Sequence, residues 1–386
     1  MEQFRLMINE CIEIGMTSNI SSLKALSMRA YHKLEPYNVP SYYKLCAISR
    51  AAVILTSRRK SLRRGMPTKS PYVMRRHLTS CYGFKFIGNA IRIPVGHREF
   101  FEIELNKHTQ EILSDPALRV RSFTLTNTHL SICYSKDVQE LECADIAGLD
   151  RNLRNITYGN DQHVVKYNLS EAVKIARRTS KIIASFKRKD MRIRKRIASK
   201  YGRRQRNRVN QLLHNTTKDI VERAFAKREA IVLEDIRGIR KLYRKGNGQS
   251  HRYRGIMNAW SFCEVQRQIE YKAKWKGIPV MRLSKEETMG TSTLCPICGE
   301  RLLNGQYISR QLWCPSCGMK ADRDIVAVLN QSHRGRVRFA RSLPCDDKAK
   351  GGAAEAMRGN PLRMEVILRV DAPKSSHDKD LTEPKL

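Results

Sequence analysis

The apolar positions change their period along the chain, and each change marks a new kind of element. Over residues 1–62 the period is helical. Phe4, Met7, Ile8, Cys11 and Ile12 recur at i, i+3, i+4 spacing and outline one apolar face. Ser21 or Ser22 can cap a second helix carrying Leu23, Leu26 and Tyr31. Pro40-Ser41 opens a third helix through Leu45, Ile48, Ala52 and Leu55, which ends in a basic run from Arg58 to Arg64. Near residue 70 the period shortens to two. Phe84–Ile87 and Ile91–Ile93 flank Gly88-Asn89 as a hairpin, and Phe100–Leu105 alternates. Phe123–Thr126 and Leu130–Cys133 read as another hairpin across Asn127-Thr128-His129. We expect a small barrel-like β module over 70–142. It holds no catalytic cluster, so its role is binding.

The third region alternates strands with basic helices. Ile146-Ala147-Gly148-Leu149-Asp150 is a buried-looking strand ending in an acid. Tyr158-Gly159 and Val164–Tyr167 continue as a meander. From Arg177 to Arg208 nearly half the residues are Lys or Arg, with Asp190 the only acid. A helix follows with Leu212, Leu213, Ile220, Val221 and Phe225 on one side. Ala230–Leu233 is a second apolar strand, ending in Glu234-Asp235. Gly246-Asn247-Gly248 marks a loop in a basic patch. A helix with Phe262, Val265 and Ile269 leads to a strand over Ile278–Leu283. From 345 onward the chain is rich in Gly, Ser, Pro, Asp and Lys apart from the run Val366–Val370, and a mostly disordered tail is expected.

Charge sharpens this picture. Lys and Arg number 73 against 37 acids, a formal net charge of +36. Such an excess opposes compaction unless a polyanion neutralises it, and nucleic acid is the polyanion that rewards each neutralised phosphate with a released counterion. The single-sign block could be a solvated helix face. Its self-repulsion favours backbone contact by Arg177, Arg178, Lys187, Arg188, Lys189, Arg192, Arg194, Lys195, Arg196, Arg203 and Arg204. A membrane is not expected as partner. Met1–Arg5 lacks a basic n-region followed by an apolar h-region, and the best apolar run, Ala51–Leu55, is short and flanked by Arg50 and Arg58. The expectation is a soluble intracellular protein whose 11 cysteines stay reduced.

Four of those cysteines have metal spacing. Cys295-Pro-Ile-Cys298 and Cys314-Pro-Ser-Cys317 are two CxxC pairs, each followed by glycine, Gly299 and Gly318. Four thiolates fill a tetrahedral Zn²⁺ shell and leave no open position, so the expected zinc is structural. Whether the ribbon touches nucleic acid stays open; Arg301, Arg310, Trp313 and Lys320 are the side chains that would do so.

Three acids stand out by position. Asp150 ends a strand, Glu234 ends another, and Asp324 lies in the first turn of the helix after the cysteines. Strand acid, strand acid, helix acid is the order an RNase H-like fold needs to hold two Mg²⁺ ions at one edge. Each acid also has a plain reading. Asp322 or Asp324 could cap a helix, Asp150 could start a turn, and Glu234 and Asp235 could pair with Arg237 or Arg240.

From Ile146 to about Asn330 the chain resembles the TnpB/OrfB family of transposon-encoded proteins, in an archaeal-looking form, and with it the nuclease half of type V CRISPR effectors. Gly148-Leu149-Asp150 through Asn155-Ile156 resembles the first RuvC motif and Ile231–Ile239 the second. Glu270–Ala273 through Gly277–Val280 resembles the segment leading to the ribbon. Thr291–Gly299 and its partner pair resemble the inserted zinc element. Asp322-Arg-Asp324 through Asn330 resembles the third motif. The resemblance implies a multidomain α+β protein. Its parts would be a helical recognition lobe (1–65), a β-rich wedge-like module (70–142) and an RNase H-like (RuvC) core (143–290, basic helices 170–228). A four-cysteine zinc ribbon (291–320), a final core helix (321–344) and the tail (345–386) would follow. It implies Asp150, Glu234 and Asp324 as Mg²⁺ ligands, with Mn²⁺ an acceptable substitute. It also implies a guide RNA from the transposon end, a double-stranded DNA target, and a cytoplasmic, nucleoid-associated site of action.

Two departures from the family pattern are visible. Asn commonly stands two residues after the third acid, where this chain has Val326. Members commonly open with a β-strand completing the wedge, whereas this chain starts in a helix-like segment, which implies an incomplete or differently built target-adjacent reading surface. Three activities are compatible with the motifs: an RNA-guided endonuclease, a transposase performing cleavage and strand transfer itself, and a guided repressor that does not cut. The ribbon between the last two motifs favours the first, and all three acids being present weighs against the last.

Overall fold

Helical spacing in the first residues becomes three helices: α1 (Glu2–Thr17), α2 (Leu23–Ala30) and α3 (Ser41–Arg63). In this computed structural model the described chain omits residues 97, 187–190, 237, 261, 306–309, 343–363 and 374–386. It divides into two units, Met1–Asp137 with Glu365–Leu386, and Val138–Met364. Phe4, Met7, Ile8, Cys11 and Ile12 are buried as their spacing requires, and Ser22 caps α2 by accepting from the Ala25 N–H. Gly15 sets the approach of α1 to α3: a Cβ there would lie 2.3 Å from Leu55 Cδ1.

The strands of this unit are β1 (His77–Ser80), β2 (Lys85–Ile87), β3 (Ala90–Pro94), β4 (Phe100–Glu104), β5 (Arg119–Thr126) and β6 (His129–Val138), with α4 (Lys107–Leu113) between β4 and β5. They pair in two antiparallel sheets, β2-β3-β4 and one containing β1-β5-β6. Among the described residues these sheets do not close into one circuit, so the barrel-like expectation resolves into separate sheets.

The second unit is built on β7 (Asp145–Arg151), β8 (Asn155–Gly159), β9 (Val164–Asn168), β10 (Glu229–Glu234) and β11 (Val280–Leu283), in the order β11-β10-β7-β8-β9. β10 is parallel to both β7 and β11, and β7-β8-β9 run antiparallel. Burial on both faces explains why β7 and β10 read as unbroken apolar runs. Alternate residues serve opposite faces. Ala147, Leu149, Ile231 and Leu233 join the main core, which takes in Leu213, Ile220 and Val221 of α6 (Met191–Ala226) and Val265 and Ile269 of α8 (Phe262–Trp275). Ile146, Ala230 and Val232 face the other way, toward Phe339 of α9 (Arg323–Ser342). Burying each large apolar side chain contributes roughly 1.5–3 kcal/mol. Gly148 lets α9 lie directly on β7, since a Cβ there would meet the Val328 carbonyl oxygen at 2.3 Å.

The basic block is helical in two pieces, α5 (Ser170–Ser185) and the first half of α6. The sequence reading placed a separate helix after Arg208; the structure has one helix of 36 residues, because the helical phase is unbroken while the charge density falls. The short α7 (His251–Ala259) was not anticipated. The ribbon strands β12 (Leu303–Asn304), β13 (Gln311–Trp313) and β14 (Lys320–Asp322) form a small antiparallel sheet. Of the tail, 343–363 and 374–386 lie outside the described residues, and the run Val366–Val370 falls within β15 (Met364–Pro373), beside β6 in the first unit.

Candidate active site and metal centre

The parallel register decides where the first two acids stand. Val232 pairs with Gly148 and Leu233 with Leu149, which brings Glu234, the last residue of β10, beside Asp150, the last but one of β7. Asp324 arrives from the first turn of α9, which β14 feeds without a linker. The Asp324 N–H donates to Asp322 Oδ1 at 2.8 Å, so Asp322 takes the capping role and leaves the Asp324 carboxylate for the cluster. Asp324 is 1% exposed.

Side-chain donors bridge two of the three acids and hold the third separately. Asn152 Nδ2 donates to Asp150 Oδ2 at 2.6 Å and to Asp324 Oδ1 at 2.9 Å. Asn155 Nδ2 donates to Asp324 Oδ2 at 3.1 Å. Gln331 Nε2, on α9, donates to Glu234 Oε1 at 3.0 Å, and the Thr291 hydroxyl reaches the same oxygen at 3.4 Å. Beneath them the buried Arg151 donates to the Glu234 carbonyl oxygen and, at 2.9 Å, to Gln266 Oε1. Two cations close on Asp324: Lys166 Nζ at 2.9 Å from Oδ2, and Arg310, whose Nη2 donates to Oδ1.

Burial first, and then the charges of Glu234 and Asp324, push the Asp150 carboxyl up to about 7. Burial alone would raise Asp324 too, but Lys166 and Arg310 hold it below the ordinary carboxylate range. The two aspartates are therefore unlike: Asp150 is raised by burial and its acidic neighbours, and Asp324 is kept charged by cations.

The ribbon cysteines sit in two matching turns. The Cys295 N–H donates to the Glu300 carbonyl oxygen (2.8 Å) and the Gly299 N–H to that of Cys295 (2.9 Å). The Cys314 N–H donates to Met319 (2.9 Å) and the Gly318 N–H to Cys314 (3.0 Å). Gly299 and Gly318 take φ of +77° and +73°, the left-handed conformation each turn needs. Sγ of Cys295 lies 3.5 Å from that of Cys317, and Sγ of Cys298 lies 3.4 Å from that of Cys314. All four lie within 4.8 Å of one another, a donor set that fits a tetrahedral ion. The Cys317 backbone N–H draws the Cys314 thiol down, whereas the thiols of Cys298 and Cys317, crowded against the other sulfurs, are raised. Val326, the departure from the family pattern, is buried among Cys295, Leu302, Leu312 and Cys314. It packs the ribbon and takes no part in the carboxylate cluster.

Of the expected backbone-contacting cations, Arg177 and Arg178 on α5 and Arg192, Lys195, Arg196, Arg203 and Arg204 on α6 are exposed. Lys187, Arg188 and Lys189 lie outside the described residues, as does the side chain of Arg194. Arg310, one of the four ribbon-region side chains named as candidates for nucleic-acid contact, pairs with Asp324 within the fold. Sequence reasoning did not single out Asn152, Lys166, Thr291 or Gln331.

The family model of the Cas12f1-like TNB domain matches residues 262–331, from the start of α8 into α9. A TnpB-like protein of Methanocaldococcus jannaschii is 32% identical over 263 residues, spanning 64% of this chain and 91% of that protein. The chain belongs to the TnpB-like family. That family, with its Cas12f-like relatives, consists generally of RNA-guided nucleases. The TnpB-like chain also shares its mixed α/β multidomain fold with Cas12f1 as seen by cryo-EM in a complex with sgRNA and target DNA. The TM-score is 0.58 at 14% identity, covering 86% of this chain and 81% of that one. Among the described residues, no helix is long and apolar enough to cross a membrane.

Proposed function

We propose that this TnpB-like chain is an RNA-guided, Mg²⁺-dependent DNA endonuclease whose second unit contains an RNase H-like (RuvC) core, with Asp150, Glu234 and Asp324 as the metal ligands. The observation that carries this reading is the meeting of acids from β7, β10 and α9 at one sheet edge. The exposed cations of α5 and α6 support a backbone-binding surface in the same unit. The proposed parts are the recognition lobe (1–65), the wedge-like module (70–142), the core (143–290 and 321–344) and the zinc ribbon (291–320). The guide RNA would come from the transposon end and supply sequence specificity by pairing.

The donor chemistry fits both ions. Hard carboxylate oxygens suit Mg²⁺, and four thiolates at Cys295, Cys298, Cys314 and Cys317 suit a structural Zn²⁺. When bound, the Mg²⁺ ions supply Lewis acidity that activates a water and stabilises the leaving oxygen of a phosphodiester. The protein's own residues set the stage. Asn152 keeps Asp150 and Asp324 together across the chain. Gln331 and Thr291 hold Glu234 by Oε1, so among the described residues Oε2 is left free to ligate. Asp150, raised to about 7 by burial and then by the neighbouring acids, would hold an ion as its carboxylate. Arg310 and Lys166 neutralise Asp324, whose oxygens would be shared with an ion.

The test is to purify the protein from cells carrying its native locus, sequence the RNA that accompanies it, and incubate the complex with plasmid DNA and Mg²⁺. Cutting that follows the end sequence of one discrete RNA is expected. Glu234→Gln is expected to lower that cutting by about 10³-fold or more while leaving RNA binding unchanged. Joining at transposon ends, or full activity in Glu234→Gln, would overturn the reading.

A further inference from the structure

Many arginines of the second unit are neutralised within the fold. Arg223 pairs with Asp219 at 2.8 Å, Arg282 with Glu270 at 2.6 Å and Arg338 with Glu287 at 2.9 Å. The segment after β10 is built otherwise. Gly238, at φ +82°, starts a short 3-10 turn over Ile239–Tyr243. Gly246 and Gly248, also at positive φ, turn the chain back toward α7. Ser250 caps α7 by accepting from the Tyr253 N–H at 3.2 Å. Asn258 Nδ2 on α7 donates to the Tyr243 carbonyl oxygen at 3.2 Å, and Asn247 Nδ2 donates to that of Leu242 at 3.0 Å. Met257 and Trp260 are buried in the main core and Tyr243 packs against it, so the fold-back is anchored.

This fold-back frames a cavity of about 390 Å³ whose wall includes Arg244, Lys245, His251 and Arg254. Among the described residues no carboxylate lines it. Among the described residues no ion pair engages Arg244, Lys245 or Arg254. The Arg254 guanidinium donates to the Gln249 carbonyl oxygen, which holds it in the wall. Three permanent cations gathered on a concave surface repel one another and raise the local positive potential, an arrangement that an anion stabilises. The groups present suit a phosphodiester: guanidinium forks for charge-assisted hydrogen bonds and a lysine point charge. Tyr253 stands edge-to-face with Tyr243, is 44% exposed, and offers a ring on which a neighbouring base can stack.

We propose that this pocket binds a backbone phosphate of single-stranded nucleic acid, and that the strand is DNA passing to the carboxylates. The assignment to DNA rests on the function proposed above and on chain continuity, because the pocket is formed by the segment that directly follows Glu234. The phosphate chemistry does not depend on that function.

Full-length protein and its Arg244→Ala/Lys245→Ala/Arg254→Ala variant would be titrated with a short fluorescent single-stranded DNA across a KCl series. A parallel series uses the RNA that co-purifies with the wild type. Each lost single-strand phosphate contact removes about 0.7 from the slope of log affinity against log salt, so the variant's slope should fall by about 2. Its DNA affinity near 0.15 M salt should fall about tenfold. Arg254→Lys, alone and with the other two residues intact, should keep the wild-type slope; melting curves confirm that both variants fold. A loss confined to the RNA series would overturn the DNA assignment and give the pocket to the guide. Unchanged slopes in both series would overturn the pocket itself. Both series are run without divalent ions and read binding alone, so their outcome does not depend on whether the protein cuts.

Discussion

The two clusters of candidate metal ligands are built on opposite plans. The cysteines come from two local turns, each completed by its own backbone N–H groups, and their sulfurs already stand within 4.8 Å of one another. The carboxylates come from three distant segments, and the protein's own donors occupy them: amides on Asp150 and Glu234, amides and two cations on Asp324. Among the described residues the cysteines are the one group with donor atoms gathered closely enough for a single ion. A structural site gains from being formed before the ion arrives. On the nuclease reading proposed above, the carboxylate site gains from a built-in countercharge that keeps Asp324 neutralised until substrate and ion are both present.

Breaking the first cluster should give the largest effect. Cys314→Ser should abolish stoichiometric zinc, because a structural Zn²⁺ site contributes about 10–16 kcal/mol of binding free energy that the ribbon needs to fold. Metal analysis and limited proteolysis over residues 291–322 read the result, and a variant that keeps its zinc and its protease resistance would remove the cysteine assignment. The second cluster should respond less abruptly. Asn152→Ala removes the clamp between Asp150 and Asp324 and should weaken Mn²⁺ binding about 10–100-fold, the usual cost of losing a group that orients ligands. Titration followed by the Mn²⁺ EPR signal measures it; unchanged affinity would mean that the clamp is incidental.

Arg310→Ala tests the countercharge idea by its sign. If Arg310 competes with metal for Asp324, its removal should strengthen Mn²⁺ binding in the nucleic-acid-free protein. The gain should be up to about fivefold, the scale of an ion pair worth roughly 0.2–1 kcal/mol. Weaker binding would instead make Arg310 a support of the site. The smallest effect concerns a cation that has no acid partner among the described residues. Lys272 donates to the His214 carbonyl oxygen and the Thr217 hydroxyl, both at 2.7 Å, and burial, with Lys218 nearby, brings its pKa down to about 8. An unfolded lysine titrates near 10.4. Between about pH 8 and pH 10.4 the unfolded chain therefore binds more protons, so this residue's contribution to stability rises with pH through that window. Lys272→Met should reduce the corresponding rise in thermal midpoint by a small amount, since the side chain is only partly withdrawn from solvent.

What was legible in the sequence follows the range of the forces involved. The runs at 146–150 and 230–233 announced buried strands because burial on both faces leaves no polar positions. The cysteine turns were legible because spacing alone determines them. The unbroken course of α6 was not, since a change in charge density was taken for a boundary. Phe225 was assigned to an apolar face, yet it is 42% exposed, because helix period does not say which part of a face has a neighbour. The three acids could be ranked by position, but Asn152, Lys166 and Arg310 could not: each acts across at least 14 residues of chain, and Asn152 across 172. Such contacts are products of the sheet register and the seating of α9, which no local pattern encodes.

At 1.5 Å per residue, the 36 residues of α6 make a rod about 54 Å long. Its inner half is held in the core from Val209 onward, and its outer half packs along α5 while presenting Arg192, Lys195, Arg196, Arg203 and Arg204 to solvent. Ala226, where the rod ends, lies two residues short of the strand that carries Glu234. One unbroken helix thus runs from the exposed cations to the root of the strand that ends in the carboxylate cluster.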